Sequence, residues 1–130
     1  MEYFKKLDGT VFPSEERTIT VINDQIYGGA HEYEVAPCMG FHDGKTHYDF
    51  DPENQVRIQF VEKSDNGIIT PGLQSEQLVL ILLDRTAKLN ARFPSPQNEK
   101  MMTGLQIFLD ACKERVQDRI NRGVMGDLKK

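Results

Sequence analysis

Three arginines near the end of the chain carry the chemistry most open to reading. Arg115, Arg119 and Arg122 stand four and three residues apart. At about 100° per residue, a helix puts them on one narrow stripe beside Phe108 and Cys112. The acids Asp110, Glu114 and Asp118 fall on a separate stripe around the back. Arg119 therefore has like-charged neighbours at i−4 and i+3, pairs that each cost a few tenths of a kcal/mol on an isolated helix. A guanidinium offers a planar fork of donors that matches a phosphate, so anion binding is one reading of the stripe. The other is structural: cations near a helix C-terminus suit its dipole, and Asp118 is within reach of Arg115 or Arg122.

Other groups with chemical potential are weaker. His31, His42 and His47 with Asp49 and Asp51 contain metal-ligand types, but at no spacing known for a zinc site, and surface histidines are expected. No paired-histidine phosphoesterase motif is present, and no nucleophile has a base beside it in sequence. Gly28-Gly29-Ala30 lacks the Gly-Lys-Ser/Thr ending of a phosphate loop. Cys112, Met101 and Met102 read as core. Neither a metal nor a cofactor is expected.

Composition bounds the setting. The chain has 130 residues, 38% apolar and 28% charged, which suits one compact domain. With 16 basic and 20 acidic residues the net charge is −4, which opposes nucleic-acid binding. The longest apolar run, Leu78 to Leu83, is far short of the roughly 20 residues of a membrane span. Met1 to Lys6 is followed by no apolar segment of a secretory signal. Cys38 and Cys112 form no CxxC pair, which fits a reduced, cytoplasmic protein. The charge is uneven: residues 1–73 hold 6 basic and 13 acidic residues, residues 74–130 hold 10 and 7.

The elements that must position the arginines change character at the same point. In the first part Arg17–Ile22, His31–Val35, Gly40-Phe41, Thr46–Phe50 and Val56–Phe60 read as strands. Gly28-Gly29 and Asp43-Gly44 read as turns, and Asp65-Asn66-Gly67 closes the last strand. Val56, Ile58 and Phe60 alternate with Arg57 and Gln59, the pattern of an antiparallel sheet with one buried face. In the second part a helix is expected from an N-cap at Ser75 to about Asn90, and another from about Gln97 to Arg122, stopped by Gly123. Pro94 and Pro96 bias Ala91 to Ser95 away from helix. Met101, Leu105, Phe108, Cys112, Val116 and Ile120 form the expected seam on the second helix. Leu78–Leu83 is apolar all round, which calls for cover on every side, and the expected cover is another copy of the chain. The fold class is thus α+β: a small N-terminal antiparallel sheet over 1–73, then an antiparallel two-helix hairpin over 74–130, together one compact domain.

The second part carries a resemblance. Ser75-Glu76-Gln77-Leu78-Val79-Leu80-Ile81-Leu82-Leu83-Asp84-Arg85, Asn98, and Asp118-Arg119-Ile120-Asn121-Arg122-Gly123-Val124-Met125-Gly126 resemble the phage-encoded helical hairpin of anti-CBASS and Thoeris anti-defence proteins. These are the cyclic-nucleotide sponges. Ile58-Gln59-Phe60, Gly67 and Pro71-Gly72-Leu73 are similar to the strand and linker that precede the hairpin in Thoeris-type members, which also carry a small β-rich region. The resemblance covers roughly residues 56–126. It implies a homo-oligomer, commonly a hexamer built from dimers, acting in the host cytoplasm. Such a protein sequesters a cyclic oligonucleotide or cyclic ADP-ribose-type messenger without cleaving it. It also implies phosphate contacts at the positions of Arg115 and Arg119, and a second pocket near the hairpin loop, where Asn98 matches the loop asparagine. Leu89-Asn90 stands where relatives have Phe-Gln, and Phe93 is the aromatic nearest to replace that ring. Gly123-Val124-Met125-Gly126-Asp127-Leu128 replaces a usual Gly-Val-Glu-Gly-Thr-His. The expected ligand-binding set is Arg115, Arg119, Arg122, Asn98, Leu89, Phe93 and Arg85, with no catalytic residue. The competing expectation is an interaction module whose hairpin docks on a host or phage protein.

Overall fold

The computed structural model describes residues 4–7, 18–23, 30–42 and 47–123. It has the expected α+β layout, antiparallel strands followed by a helical hairpin. The chain divides into two compact units, Met1–Leu73 and Gln74–Lys130.

In the first unit, β1 (Phe4–Lys6), β2 (Ile19–Ile22), β3 (Glu32–Val35) and β6 (Val56–Gln59) form an antiparallel sheet in the order β1-β2-β3-β6. Its registers set Phe4 opposite Ile22, Thr20 opposite Glu34 and Tyr33 opposite Ile58. β4 (Cys38–His42) and β5 (His47–Phe50) make a separate hairpin, with Phe41 opposite Tyr48. Its expected turn at Asp43-Gly44, like the one at Gly28-Gly29, lies outside the described residues.

The buried residues cluster on β2 and the end of β3: Thr20, Val21, Ile22 and Ala36. Tyr33 meets Phe60 edge to face at 5.8 Å. Val56 does not share this cover and is exposed, contrary to its place in the alternating pattern. β6 is the last strand of its sheet, and an edge position leaves it without the second neighbour that would cover it.

Asp65-Asn66-Gly67 does not close β6. It is the turn of a further hairpin, β7 (Glu62–Lys63) with β8 (Ile69–Thr70), where the Ser64 N–H donates to the Ile68 carbonyl at 2.9 Å. The chain then meets the end of β6 in a parallel bridge of Leu73 with Phe60: the Leu73 N–H donates to the Gln59 carbonyl at 2.8 Å and the Val61 N–H to the Leu73 carbonyl at 2.9 Å. Gly72 permits this approach, because a β-carbon there would stand 2.5 Å from the Phe60 carbonyl carbon.

The second unit is α1 (Ser75–Arg92) and α2 (Pro96–Arg122). Ser75 is the first helical residue rather than the N-cap. Gln74 holds that position in extended conformation, and its N–H donates to the Gln77 side-chain oxygen at 2.8 Å. α1 also runs on past Asn90 to Arg92, because Pro94 restricts only the residue before it. Pro96 opens α2 instead of delaying it, since at the first helical position its missing donor costs nothing.

The seam between the helices follows alternating steps of three and four. Val79, Leu83, Thr86 and Asn90 of α1 and Met102, Leu105, Leu109, Cys112, Val116 and Arg119 of α2 follow these steps and are shielded, and Glu76, Leu78 and Asn98 are half-buried as well. Three members of the expected α2 seam, Met101, Phe108 and Ile120, are exposed instead. The expected series steps by 4, 3, 4, 4 and 4, so these three members fall to either side of a packed face that alternates threes and fours. On α1, Leu80, Ile81 and Leu82 are 54%, 60% and 48% exposed, because a single neighbouring helix covers one side of an all-round apolar segment. No helix of the described residues is long and apolar enough to cross a membrane.

Candidate ligand-binding site

The expected site residues fall into two groups at opposite ends of the hairpin. Asn98 opens α2 and Arg119 nears its end, and at about 1.5 Å rise per residue they are about 30 Å apart along the axis. Leu89, Phe93 and Asn98 belong to the turn end; Arg115, Arg119 and Arg122 belong to the open end. Arg85 lies midway on α1, exposed, and near neither group.

The turn end is tied down by its own side chains. Ser95 caps α2, its hydroxyl accepting the Asn98 N–H at 3.0 Å. The Asn98 side-chain amide donates to the Phe93 carbonyl at 3.1 Å, so this residue serves the turn. The Phe93 N–H donates to the Leu89 carbonyl at 2.7 Å. Asn90 does the most: its oxygen accepts the Ser95 N–H at 3.1 Å and its amide donates to Glu99 at 2.8 Å. Sequence reasoning missed Asn90 and Glu99; the signal was an asparagine and a glutamate bracketing the proline turn. Phe93 remains 64% exposed, with the Arg92 guanidinium 5.1 Å from its ring centre. That contact leaves an oriented aromatic at the tip.

The open end is different. α2 stops where Gly123 adopts φ 69° and returns its N–H to the Arg119 and Ile120 carbonyls. Arg122 pairs with Asp118 one turn back at 2.9 Å, which is the structural alternative realised for that residue. Arg115 and Arg119 have no ion pair or side-chain hydrogen bond among the described residues. Arg115 is exposed and Arg119 half-buried at the edge of the seam. Among the described residues these two side chains, four positions apart on the helix, have their guanidinium donors unspent. An open groove of about 300 Å³, lined by none of the three arginines, is bounded by Glu76, Leu109, Cys112, Lys113, Val116 and Gln117. Cys112 is buried there, in keeping with a core role. Val124 to Leu128 of the resembling ending lie outside the described residues.

Elsewhere, no three His, Cys, Asp or Glu side chains of the described residues converge as a metal site. Asp51 is a turn anchor: it accepts the Asn54 side-chain amide at 2.7 Å and the Glu53 N–H at 3.0 Å. Those bonds, the Asn54 one foremost, hold its carboxyl below the usual aspartate range.

The sequence matches no protein-family model, and no curated protein matches it.

Proposed function

We propose that this chain is a binding protein that captures a phosphorylated nucleotide messenger, of the cyclic oligonucleotide or cyclic ADP-ribose class, and releases it unchanged. In a phage-infected cell such capture would starve a host immune effector in the cytoplasm. The observation that carries the reading is the pair Arg115 and Arg119, one turn apart and without carboxylate partners among the described residues. Self-association completes the cradle, since two arginines on one helix face cover only one side of a small ligand. Arg122 joins them when a phosphate competes with Asp118 for its guanidinium, an exchange that costs little for an exposed pair.

Incubation with cyclic ADP-ribose isomers and cyclic oligonucleotides, followed by heating, returns intact ligand on this reading. A cleaved product overturns it. Arg115→Ala and Arg119→Ala each remove a charge-assisted contact of about 1.5–3 kcal/mol, roughly a 10- to 100-fold loss of affinity. Unchanged affinity in both variants moves the site elsewhere.

A second reading, an interaction module for a host or phage protein, draws on the exposed Leu80, Ile81 and Leu82. It expects no nucleotide to raise the melting temperature, whereas a ligand of the native state must do so by mass action.

A further inference from the structure

Phe108 is an aromatic ring left uncovered on the arginine side of the hairpin, 45% exposed. The levels of the two helices are fixed near both ends: the Asn90 amide donates to Glu99 by the turn, and Glu76 meets Lys113 across the groove by the open end. Antiparallel descent between these points sets Leu82 level with Ile107, one residue from Phe108. The groove also fixes the flanks, because it gathers Glu76, Lys113 and Gln117 on one side of the seam. At about 100° per residue, the other side holds Leu82 and Leu89 of α1 with Phe108, Arg115 and Arg122 of α2, and Arg119 at the seam edge. The acids turn away from this flank. Asp84 pairs with Lys88 at 2.8 Å and Asp110 accepts from Gln106 at 3.0 Å, both on the far side, while Asp118 lies at the outer edge, bonded to Arg122. An open flank that is apolar and cationic, with no carboxylate between its ring and its free arginines, suits a planar ring joined to an anion.

Residues 74–130 hold two aromatic side chains, Phe93 and Phe108. Phe93 sits at the tip with the Arg92 guanidinium over its ring, whereas Phe108 has no ring or guanidinium contact among the described residues. Phe108 precedes Arg115 by seven residues, about 10 Å along the axis. Helical side chains lean toward the N-terminus, so the Arg115 guanidinium reaches back toward the ring. The sugar of a nucleotide bridges such a gap, with the base on the ring and the phosphate at the guanidinium groups. We propose that Phe108 is the stacking platform for the base of the ligand whose phosphate Arg115 and Arg119 hold. Every base has a face to stack, so the ring tells a nucleotide from a bare phosphate anion, which the arginines alone do not. The inference rests on the proposed function and adds to it the residue that selects for the base.

Phe108→Leu keeps an apolar, helix-favouring side chain and removes the ring face. The position is nearly half exposed, so the helices persist, as far-UV circular dichroism verifies. In isothermal titration with cyclic di-AMP and with cyclic ADP-ribose, the affinity of the variant for whichever the wild type binds falls about tenfold. Its affinity for pyrophosphate is unchanged, whereas Arg115→Ala weakens both. The chain has no tryptophan, so in Phe108→Trp the indole emission reports on this position alone. It is quenched by the nucleotide and not by pyrophosphate, with nucleotide affinity kept. Where Phe108→Leu loses its helical signal, the tryptophan emission decides. A Phe108→Leu variant that binds nucleotide like the wild type overturns the platform and leaves the arginine reading standing. So does an emission that stays unchanged while nucleotide binds, or an equal loss of pyrophosphate affinity, which would give Phe108 a structural role. A wild type that binds neither nucleotide overturns the inference together with the proposed function.

Discussion

The two ends of the hairpin both carry polar side chains and use them in opposite ways. At the turn, Asn90, Ser95, Asn98 and Glu99 spend their hydrogen-bonding groups on one another and on the Phe93 carbonyl. At the open end, Arg115 and Arg119 keep theirs unspent among the described residues. Polar side chains that close a network fix geometry, whereas polar side chains left open are available to a ligand. The difference gives the turn end a structural role and leaves the open end as the proposed place for a ligand, whereas the resemblance implied binding at both.

The contrast breaks most clearly at Asn90. Asn90→Ala removes two hydrogen bonds and leaves the Ser95 N–H and the Glu99 carboxylate without their partner. The expected destabilisation is about 2 kcal/mol in chemical denaturation followed by helical signal, with affinity for a nucleotide unchanged. A variant of native stability would mean that the turn is held by its prolines alone. Ser95→Ala removes the cap of α2 and is expected to cost about 1 kcal/mol in the same measurement.

Much of this was legible in the sequence, and the failures have local causes. The change from strands to helices, the ends of β2 at Ile22 and β3 at Val35, and the stop at Gly123 follow from turn residues and period. The α2 seam was misplaced because Met101, Phe108 and Ile120 are apolar without being packed; composition marks what is greasy, and only the partner decides which greasy side is covered. The bond from the Asn98 amide to the Phe93 carbonyl was not foreseen, since a single sequence does not tell an amide that binds outward from one that binds its own backbone. The β7–β8 hairpin was missed because two-residue strands carry no period to detect. Arg122 was grouped with Arg115 and Arg119 on spacing, and Asp118 was expected to reach Arg115 or Arg122; the structure pairs it with Arg122.

At the open end the expected effects on stability are smaller. Asp118→Asn breaks the exposed pair with Arg122, and exposed pairs contribute at most about 1 kcal/mol, so the melting temperature stays close to that of the wild type. The effect appears in binding: a freed Arg122 adds a third cation to the stripe, and affinity for inorganic phosphate rises, more at low salt than at high. Unchanged phosphate affinity at every ionic strength would separate Arg122 from the site.

Asp51, in the other unit, offers the mildest test of whether a closed local network behaves as one. Its carboxylate is held by the Asn54 amide first and the Glu53 N–H second, both of which favour the charged form. A carboxyl whose folded value is lowered contributes stability that is present above the usual aspartate value and is lost as pH falls through the lowered one. The group is exposed, so the contribution is small, and the observable is the titration itself. By NMR the Asp51 carboxyl is expected to titrate below an ordinary aspartate, and Asn54→Ala to move its midpoint back up. A midpoint indifferent to Asn54 would mean that this turn, unlike the tip of the hairpin, is not organised by its side chains.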